Sequence, residues 1–562
     1  MKSLKLILVV LTLNCSLFTF LCEAQYPTRY FIQFTDKINN GYSLSNPSAF
    51  LSARAIARRT NQSIGYDSLD LPITQAYIDT IMAHGAIVLN HSKWLNGVCI
   101  ATADTNILND INALPFVAHS VWVGAKKKLG DNGGISLLSK ETMMNDKTKS
   151  NHATKNTQSL NYGAATNQIT MIHGDYLHDL GFMGEGMVIA VMDAGFLHVD
   201  TIAGFDSIRV NNQILGTKDF VVGDTSVYED DGHGCMVLSC IAANLPGQMI
   251  GTGPHANFWL IRTEDAPTEN IIEEYTWAMG AEFADSVGAD IISSSLGYTR
   301  FDHTDQDHTY SDMTGRICPS TKAATVASER GILVIVAEMN EGDHFFHFVG
   351  APADADSILA IGAVDYLGNY VSFSSKGPSY DGRVKPDVAD QGLSSTVILP
   401  ATGTVGTSSG TSFATPILAG AAACFWQAHP TMTNMQVRHA IIASATQYTN
   451  PDTLEGYGIP NFELANSITT GQSIVNAKET ISVTVYPNPC VHHATFFING
   501  SIDTKDATIL IYDLLGQPLR TISLGNNRKI SFDKGKLSSG MYFYELHTHQ
   551  GQTAATGKLI IE

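Results

Sequence analysis

The chain is poor in positive charge. Lys and Arg total 34 against 53 for Asp and Glu among 562 residues, a formal net charge of −19, and no cluster of basic residues forms a phosphate-binding stripe. Nucleic acid is therefore excluded as a partner. Long hydrophobic runs are also missing. Past the first residues no stretch approaches the roughly 20 uninterrupted apolar residues of a membrane-crossing helix, so the mature chain is expected to have no transmembrane span. The 8 Cys show no C-x-x-C spacing, which excludes a zinc knuckle and a dense disulfide framework. Cys235 and Cys240, five residues apart on one apolar helix, do not share a face and read as small buried hydrophobes. No H-E-x-x-H pair, EF-hand loop, repeat array or low-complexity tract is written, so no metal ligand is assigned. His173, His178, His198, His303, His308, His344 and His347 read as surface or loop residues. A composition 44% hydrophobic, 9% aromatic and 15% charged excludes wholesale disorder.

What is present begins with an export address. Lys2 and Lys5 precede an apolar run from Leu6 to Leu13 that is too short to span a membrane, and Cys22-Glu23-Ala24 offers a cleavage site. Residues 1–24 read as a secretory signal; the rival, a lipidated Cys22, needs a small residue where Leu21 stands. Residues 25–125 form a small α+β segment, with a strand at Tyr30–Phe34 and a helix from Pro47 to Arg59 capped by Asn46. Residues 126–161 are a polar linker opening on Lys126-Lys127-Lys128, a solvated run or a processing site. From 162 to 466 short apolar runs alternate with helical segments, as at Val188–Met192, Ile291–Leu296 and Ile332–Val336, the pattern of a parallel sheet covered by helices. A polar connector leads to residues 480–562, whose alternating strands (481–486, 494–498, 507–512, 541–546, 558–561) predict an antiparallel β-sandwich.

Three positions in the α/β body share one logic. Asp193 ends the strand Val188–Met192, His233 opens an apolar helix after Asp230-Asp231-Gly232, and Ser412 opens another within Gly410-Thr411-Ser412-Phe413-Ala414-Thr415-Pro416. All sit at element ends, where an open α/β sheet places its crevice. A serine hydroxyl is a weak nucleophile until an imidazole takes its proton, and the imidazole needs a carboxylate to hold its tautomer. Asn340, after the strand Ile332–Val336, is placed to donate its amide to a developing oxyanion. Ser294-Ser295-Leu296-Gly297 is placed to pair with an extended peptide by strand addition, which suits a polypeptide substrate. Pro416 is expected in the unpartnered first turn of its helix. Asp230 and Asp231 read as cap residues, Asp219 and Asp224 as solvated loop charges.

On these residues the chain resembles the subtilases, the subtilisin-like serine peptidases, over roughly Tyr162 to Ala465. The motifs are Ala190-Val191-Met192-Asp193-Ala194-Gly195, Gly232-His233-Gly234 and Gly410 to Pro416, supported by Gly251-Thr252-Gly253-Pro254 and Phe373-Ser374-Ser375-Lys376-Gly377-Pro378. The resemblance implies a subtilisin-like fold, a secreted serine endopeptidase with Asp193, His233 and Ser412 as triad, no required cofactor, and structural calcium as an open matter. It also makes the segment before Lys126 look like an inhibitory propeptide. Val485-Tyr486-Pro487-Asn488-Pro489 and Leu537-Ser538-Ser539-Gly540-Met541-Tyr542 resemble the C-terminal sorting domain of the type IX secretion system, implying that machinery as a partner and export through periplasm and outer membrane. The chain departs from the family at Glu338 and Met339, where small residue and Gly are usual, at Cys235, and at Asp390-Gln391. Met lacks the freedom of Gly at positive φ, and a carboxylate near an oxyanion opposes its charge. These departures motivate a second reading, a homologue that binds peptide at the surface without cleaving it.

Overall fold

The computed structural model describes residues 27–125, 160–470, 482–486, 488–499, 504–513, 516–548 and 553–561. The signal segment and most of the linker and of the connector lie outside the described residues. Two compact units divide near Ala465.

The first unit begins with the strands β1 (Thr28–Phe34), β2 (Ile87–Ser92), β3 (Gly97–Thr102) and β4 (Val117–Ala125), which form an antiparallel sheet in the order β2-β3-β1-β4. Helix α1 spans Ala53–Asn61, shorter than the sequence reading. Pro47–Ala49 makes only a single 3₁₀ turn, the chain extends again at Ser52, and the Ser52 hydroxyl accepts from the Ala55 N–H at 3.1 Å as the true cap. Ile32, Ile78, Ile81, Val98, Ile100 and Ile111 fill the core on one face of this sheet.

Its other face carries Phe31, Cys99 and Val123, which pack on Ile272, Tyr275 and Met279 of helix α2 (Ile272–Val287) in the α/β body. Buried charge reinforces that contact. Arg58 and Arg59 reach Asp285 at 2.5 and 2.9 Å, Lys93 reaches it at 3.4 Å, and Arg59 also binds Asp70 at 2.8 Å. Glu282 accepts from the N–H groups of Lys93 and Trp94 at 2.8 and 3.0 Å. Burial pushes the Asp285 carboxyl up, but the cations Lys93, Arg58 and Arg59 outweigh it and hold the group below its ordinary value.

The body itself is a seven-stranded parallel sheet. In chain order its strands are β5 (Val188–Asp193), β6 (Ile214–Asp219), β7 (Asn257–Arg262), β8 (Ile291–Ser294), β9 (Leu333–Ala337), β10 (Leu359–Val364) and β11 (Val388–Gln391), and in space the order is β11-β10-β9-β8-β5-β7-β6. The chain leaves β5 toward one edge and, from β8, moves toward the other, so the crevice opens beyond the carboxyl ends of β5 and β8. Helices α3 (His233–Ala242) and α4 (Thr411–Ala428) bury one face of the sheet with Val191, Leu260 and Ile335. Helices α2 and α5 (Pro319–Glu329) bury the other with Ala190, Ile292 and Val334.

The second unit has two antiparallel sheets, of three and four strands, closed over Phe496, Ile509, Ile511, Phe532 and Leu546. The alternating pattern located five strands; Pro518–Ser523 and Lys529–Asp533 are additional, because most of the residues in these two strands are exposed and give little apolar signal. Among the described residues no helix is long and apolar enough to cross a membrane.

Candidate active site

Asp193 is fully buried at the end of β5. Its Oδ1 accepts from His233 Nδ1 and from the Ala194 N–H, both at 2.8 Å. Burial pushes the carboxyl above its usual range, while His233 and the Ala194 N–H act in the opposite direction. His233 starts α3, and Asp231 accepts its N–H at 2.7 Å, which fixes the entry of the helix. Gly234 has a steric reason to be glycine: a Cβ there would fall 2.9 Å from the Asp193 Cβ. Asp230 pairs with Arg262 at 2.9 Å. Asp219 is not a solvated loop charge; it is buried against Arg262 at 2.9 Å and caps Val221 and Val222.

Ser412 lies at the start of α4, 5% exposed, and the ring of the following Phe413 sits 5.9 Å from the His233 imidazole. Pro416 lies past the first turn, contrary to the sequence reading, so the N–H it lacks is the one that would have bonded the Ser412 carbonyl. That carbonyl instead accepts from Ser295 Oγ at 2.7 Å. The missing helix bond thus joins the segment after β8 to the helix that carries Ser412, a bond worth about 1 kcal/mol.

Asn340 is brought to the same place. Its Oδ1 accepts from the Thr411 N–H at 2.9 Å and from Thr411 Oγ1 at 3.1 Å, which fixes the amide so that its NH₂ is left to donate elsewhere. Of the four proposed substrate-strand residues, Ser295 bonds the Ser412 carbonyl and Gly297 lies against the Met339 side chain. Ser294 is turned away, its Oγ accepting from Trp277 Nε1 at 2.8 Å, and Leu296 is buried in the core on the α2 side.

Two of the family departures, Met339 and Glu338, are accommodated. Met339 adopts φ +86, the left-handed conformation, which costs a β-carbon residue about 1–2 kcal/mol. Its side chain runs between two glycines: a Cβ on Gly297 would lie 2.6 Å from Met339 Cγ, and one on Gly350 would overlap the sulfur. Glu338 is fully buried with both carboxyl oxygens lacking hydrogen-bond partners. Burial pushes it well above the carboxylate range, against the pull of Lys385, which favours its neutral form over a negative charge behind Asn340.

One group of potential metal donors occurs among the described residues, Glu274, His308 and Cys318. It reads as a closed hydrogen-bond network: His308 Nε2 bonds Glu274 at 2.6 Å and Ser320 Oγ occupies the other carboxylate oxygen at 2.6 Å. Cys235 and Cys240 are buried free thiols, as expected.

Three family models match the chain: the subtilase family over residues 184–458, the peptidase S8 propeptide domain of Bacteroidota over 29–137, and the secretion system C-terminal sorting domain over 484–562. Subtilisin E of Bacillus subtilis (strain 168) is 32% identical over 348 residues, covering 61% of this chain and 81% of that protein. Subtilisin of Bacillus pumilus is 33% identical over 312 residues, covering 55% of this chain and 99% of that protein.

Proposed function

Because this chain belongs to the subtilase family and is the precursor of a secreted serine endopeptidase that carries a type IX sorting domain, we propose that it cleaves polypeptides through an acyl-enzyme on Ser412. His233 Nε2 takes the hydroxyl proton as Ser412 Oγ attacks the peptide carbonyl. Asp193, on the other ring nitrogen, fixes the tautomer and stabilises the imidazolium. The Asn340 amide and the Ser412 N–H at the positive end of α4 donate to the oxyanion. His233 returns the proton to the leaving amine, then activates the water that releases the acyl group. The substrate backbone lies along Ser295–Gly297.

The observation that carries this reading is the 2.8 Å bond by which Asp193 orients the His233 ring beside Phe413, the neighbour of Ser412. In the domain scheme that follows from it, residues 25–125 stay docked on α2 until the linker is cut, and 480–562 act in export only. The test is fluorophosphonate labelling of the processed enzyme with peptide mapping. Label on Ser412, together with casein hydrolysis that Ser412→Ala abolishes, is the expected result; a folded, processed enzyme that hydrolyses casein without labelling at Ser412 refutes it.

A further inference from the structure

Asp193 and His233 lie 40 residues apart, one at the end of β5 and the other at the start of α3, and a bond of 2.8 Å joins them. The loop that delivers His233 leaves β6 at Asp219, and β7 lies between β5 and β6. Arg262, the last residue of β7, is the cross-strand partner of Asp193 on one side and of Asp219 on the other. Its buried guanidinium makes three contacts. Nε donates to the Ala194 carbonyl at 3.0 Å, and Nη1 reaches Asp219 Oδ2 and Asp230 Oδ2, both at 2.9 Å. Ala194 directly follows Asp193, and Asp230 stands shortly before His233 in the same loop. One side chain therefore ties the strand end that carries the acid to the loop that carries the base.

The two carboxylates have different parts. Asp219 is buried, and its Oδ1 accepts from the N–H groups of Val221 and Val222 at 2.6 and 2.9 Å, so it is the fixed counter-charge of the buried guanidinium. Asp230 has a half-exposed side chain and a backbone at φ +71, the left-handed conformation that costs a β-carbon residue about 1–2 kcal/mol. The pair with Arg262 holds it there. The next residue, Asp231, accepts the His233 N–H at 2.7 Å, and its backbone lies flat on Gly195, where a Cβ would fall 2.8 Å from the Asp231 nitrogen and oxygen. A displacement of Asp230 is thus passed through Asp231 to the first residue of α3.

We propose that Arg262 is a positioning residue for the reaction: by holding Asp230 beside the Ala194 carbonyl it sets the geometry of the Asp193–His233 bond. Arg262 acts through these two residues rather than on the substrate, and the assignment rests on Asp193, His233 and Ser412 acting as a triad.

Two variants test it in the processed enzyme. Asp230→Gly removes one contact, leaves the buried Asp219–Arg262 pair intact and suits the positive φ, so it separates positioning from folding. Arg262→Lys keeps the buried charge but gives up the planar fork that reaches three acceptors at once. Each form is titrated with fluorophosphonate at Ser412 and assayed on a fluorogenic peptide that the parent cleaves. Both variants are expected to lower kcat per titrated site by about tenfold with KM within about twofold of the parent. The far-downfield proton NMR line of the His233 Nδ1–H held by Asp193 is expected to shift in both. Asp230→Asn, which keeps an oxygen for Arg262 and tolerates positive φ, is expected to recover most of the loss. Parent kcat per titrated site and an unmoved proton line in Asp230→Gly, even with a lower titre or urea midpoint, overturn the proposal and leave the triad standing, because the clamp then serves the fold alone. A parent enzyme that cleaves casein without label at Ser412 removes the triad, and the proposal falls with it.

Discussion

Exchanging Met339 for Gly tests how the left-handed methionine is held. The backbone gains about 1–2 kcal/mol, because glycine adopts φ +86 without a β-carbon clash. Against that, a methionine only 7% exposed is deleted from the slot between Gly297 and Gly350. Truncations of buried methionine cost about 2–5 kcal/mol, so Met339→Gly is expected to lower stability by about 1–3 kcal/mol despite relieving the strain. Gly350→Ala alone forces a methyl into the sulfur and is expected to cost about 1–3 kcal/mol by overpacking. In the double variant the methyl enters space the methionine has left, and only Thr299 Cγ2, at 2.9 Å from the added methyl, still has to give. The coupling should therefore be favourable by about 1–3 kcal/mol. Urea unfolding of all four forms, each carrying Ser412→Ala to prevent self-digestion, measures it. Equal costs of Gly350→Ala in both backgrounds would show that the Met339 side chain is not in the slot, and the argument from the two glycines would fail.

The remaining expectations concern charge and hydrogen bonding. Glu338 has a folded pKa raised above its unfolded value, so the folded state holds a proton that the unfolded state releases above about pH 4.5. Glu338→Gln should match the parent in acid and become progressively more stable than it as pH rises; a pH-independent difference in urea midpoint would contradict the neutral buried acid. Asp285→Asn removes the counter-charge shared by Arg58, Arg59 and Lys93, of which Arg59 keeps Asp70, and should weaken docking of residues 25–125 by about 3–5 kcal/mol, read as faster loss of the segment on size exclusion after the linker is nicked. The depressed pKa of Asp285 means that docking keeps this contribution at neutral pH and loses it only as pH falls through that lowered value. Asp193→Asn should leave folding intact and lower kcat by about 10⁴, because His233 loses the partner that sets its tautomer; a loss under tenfold would remove Asp193 from the mechanism. Ser295→Ala should cost about 1 kcal/mol and reduce kcat more than it raises KM, since it frees the Ser412 carbonyl rather than a substrate contact.

Local pattern placed Asp193, His233, Ser412 and Asn340 at the ends of apolar elements, and gave the parallel sheet and the antiparallel C-terminal strands. Each is written in contiguous residues: an apolar run fully buried in a parallel sheet, a residue at its end, glycines beside it, and strands with alternating faces. The helix at Ala53 was misplaced because Pro47 and Asn46 look like a start, whereas the break at Phe50 and the Ser52 cap are matters of backbone conformation. What only the tertiary structure decided are relations between residues distant in the chain. Whether Glu338 is a harmful charge depends on burial among Lys385, Asp354 and Asp387, not on its neighbours in sequence. Whether Met339 is tolerated depends on Gly297 and Gly350, whose absent side chains make its room. Ser294 and Ser295 are adjacent and polar alike, yet strand alternation sends one to Trp277 and the other to the carbonyl that Pro416 leaves free. Asp219 is an ion-pair partner rather than a loop charge because β6 and β7 lie side by side and bring Arg262 to it. Desolvation and pairing are properties of a packed neighbourhood, and that neighbourhood exists only once the strands have found their order.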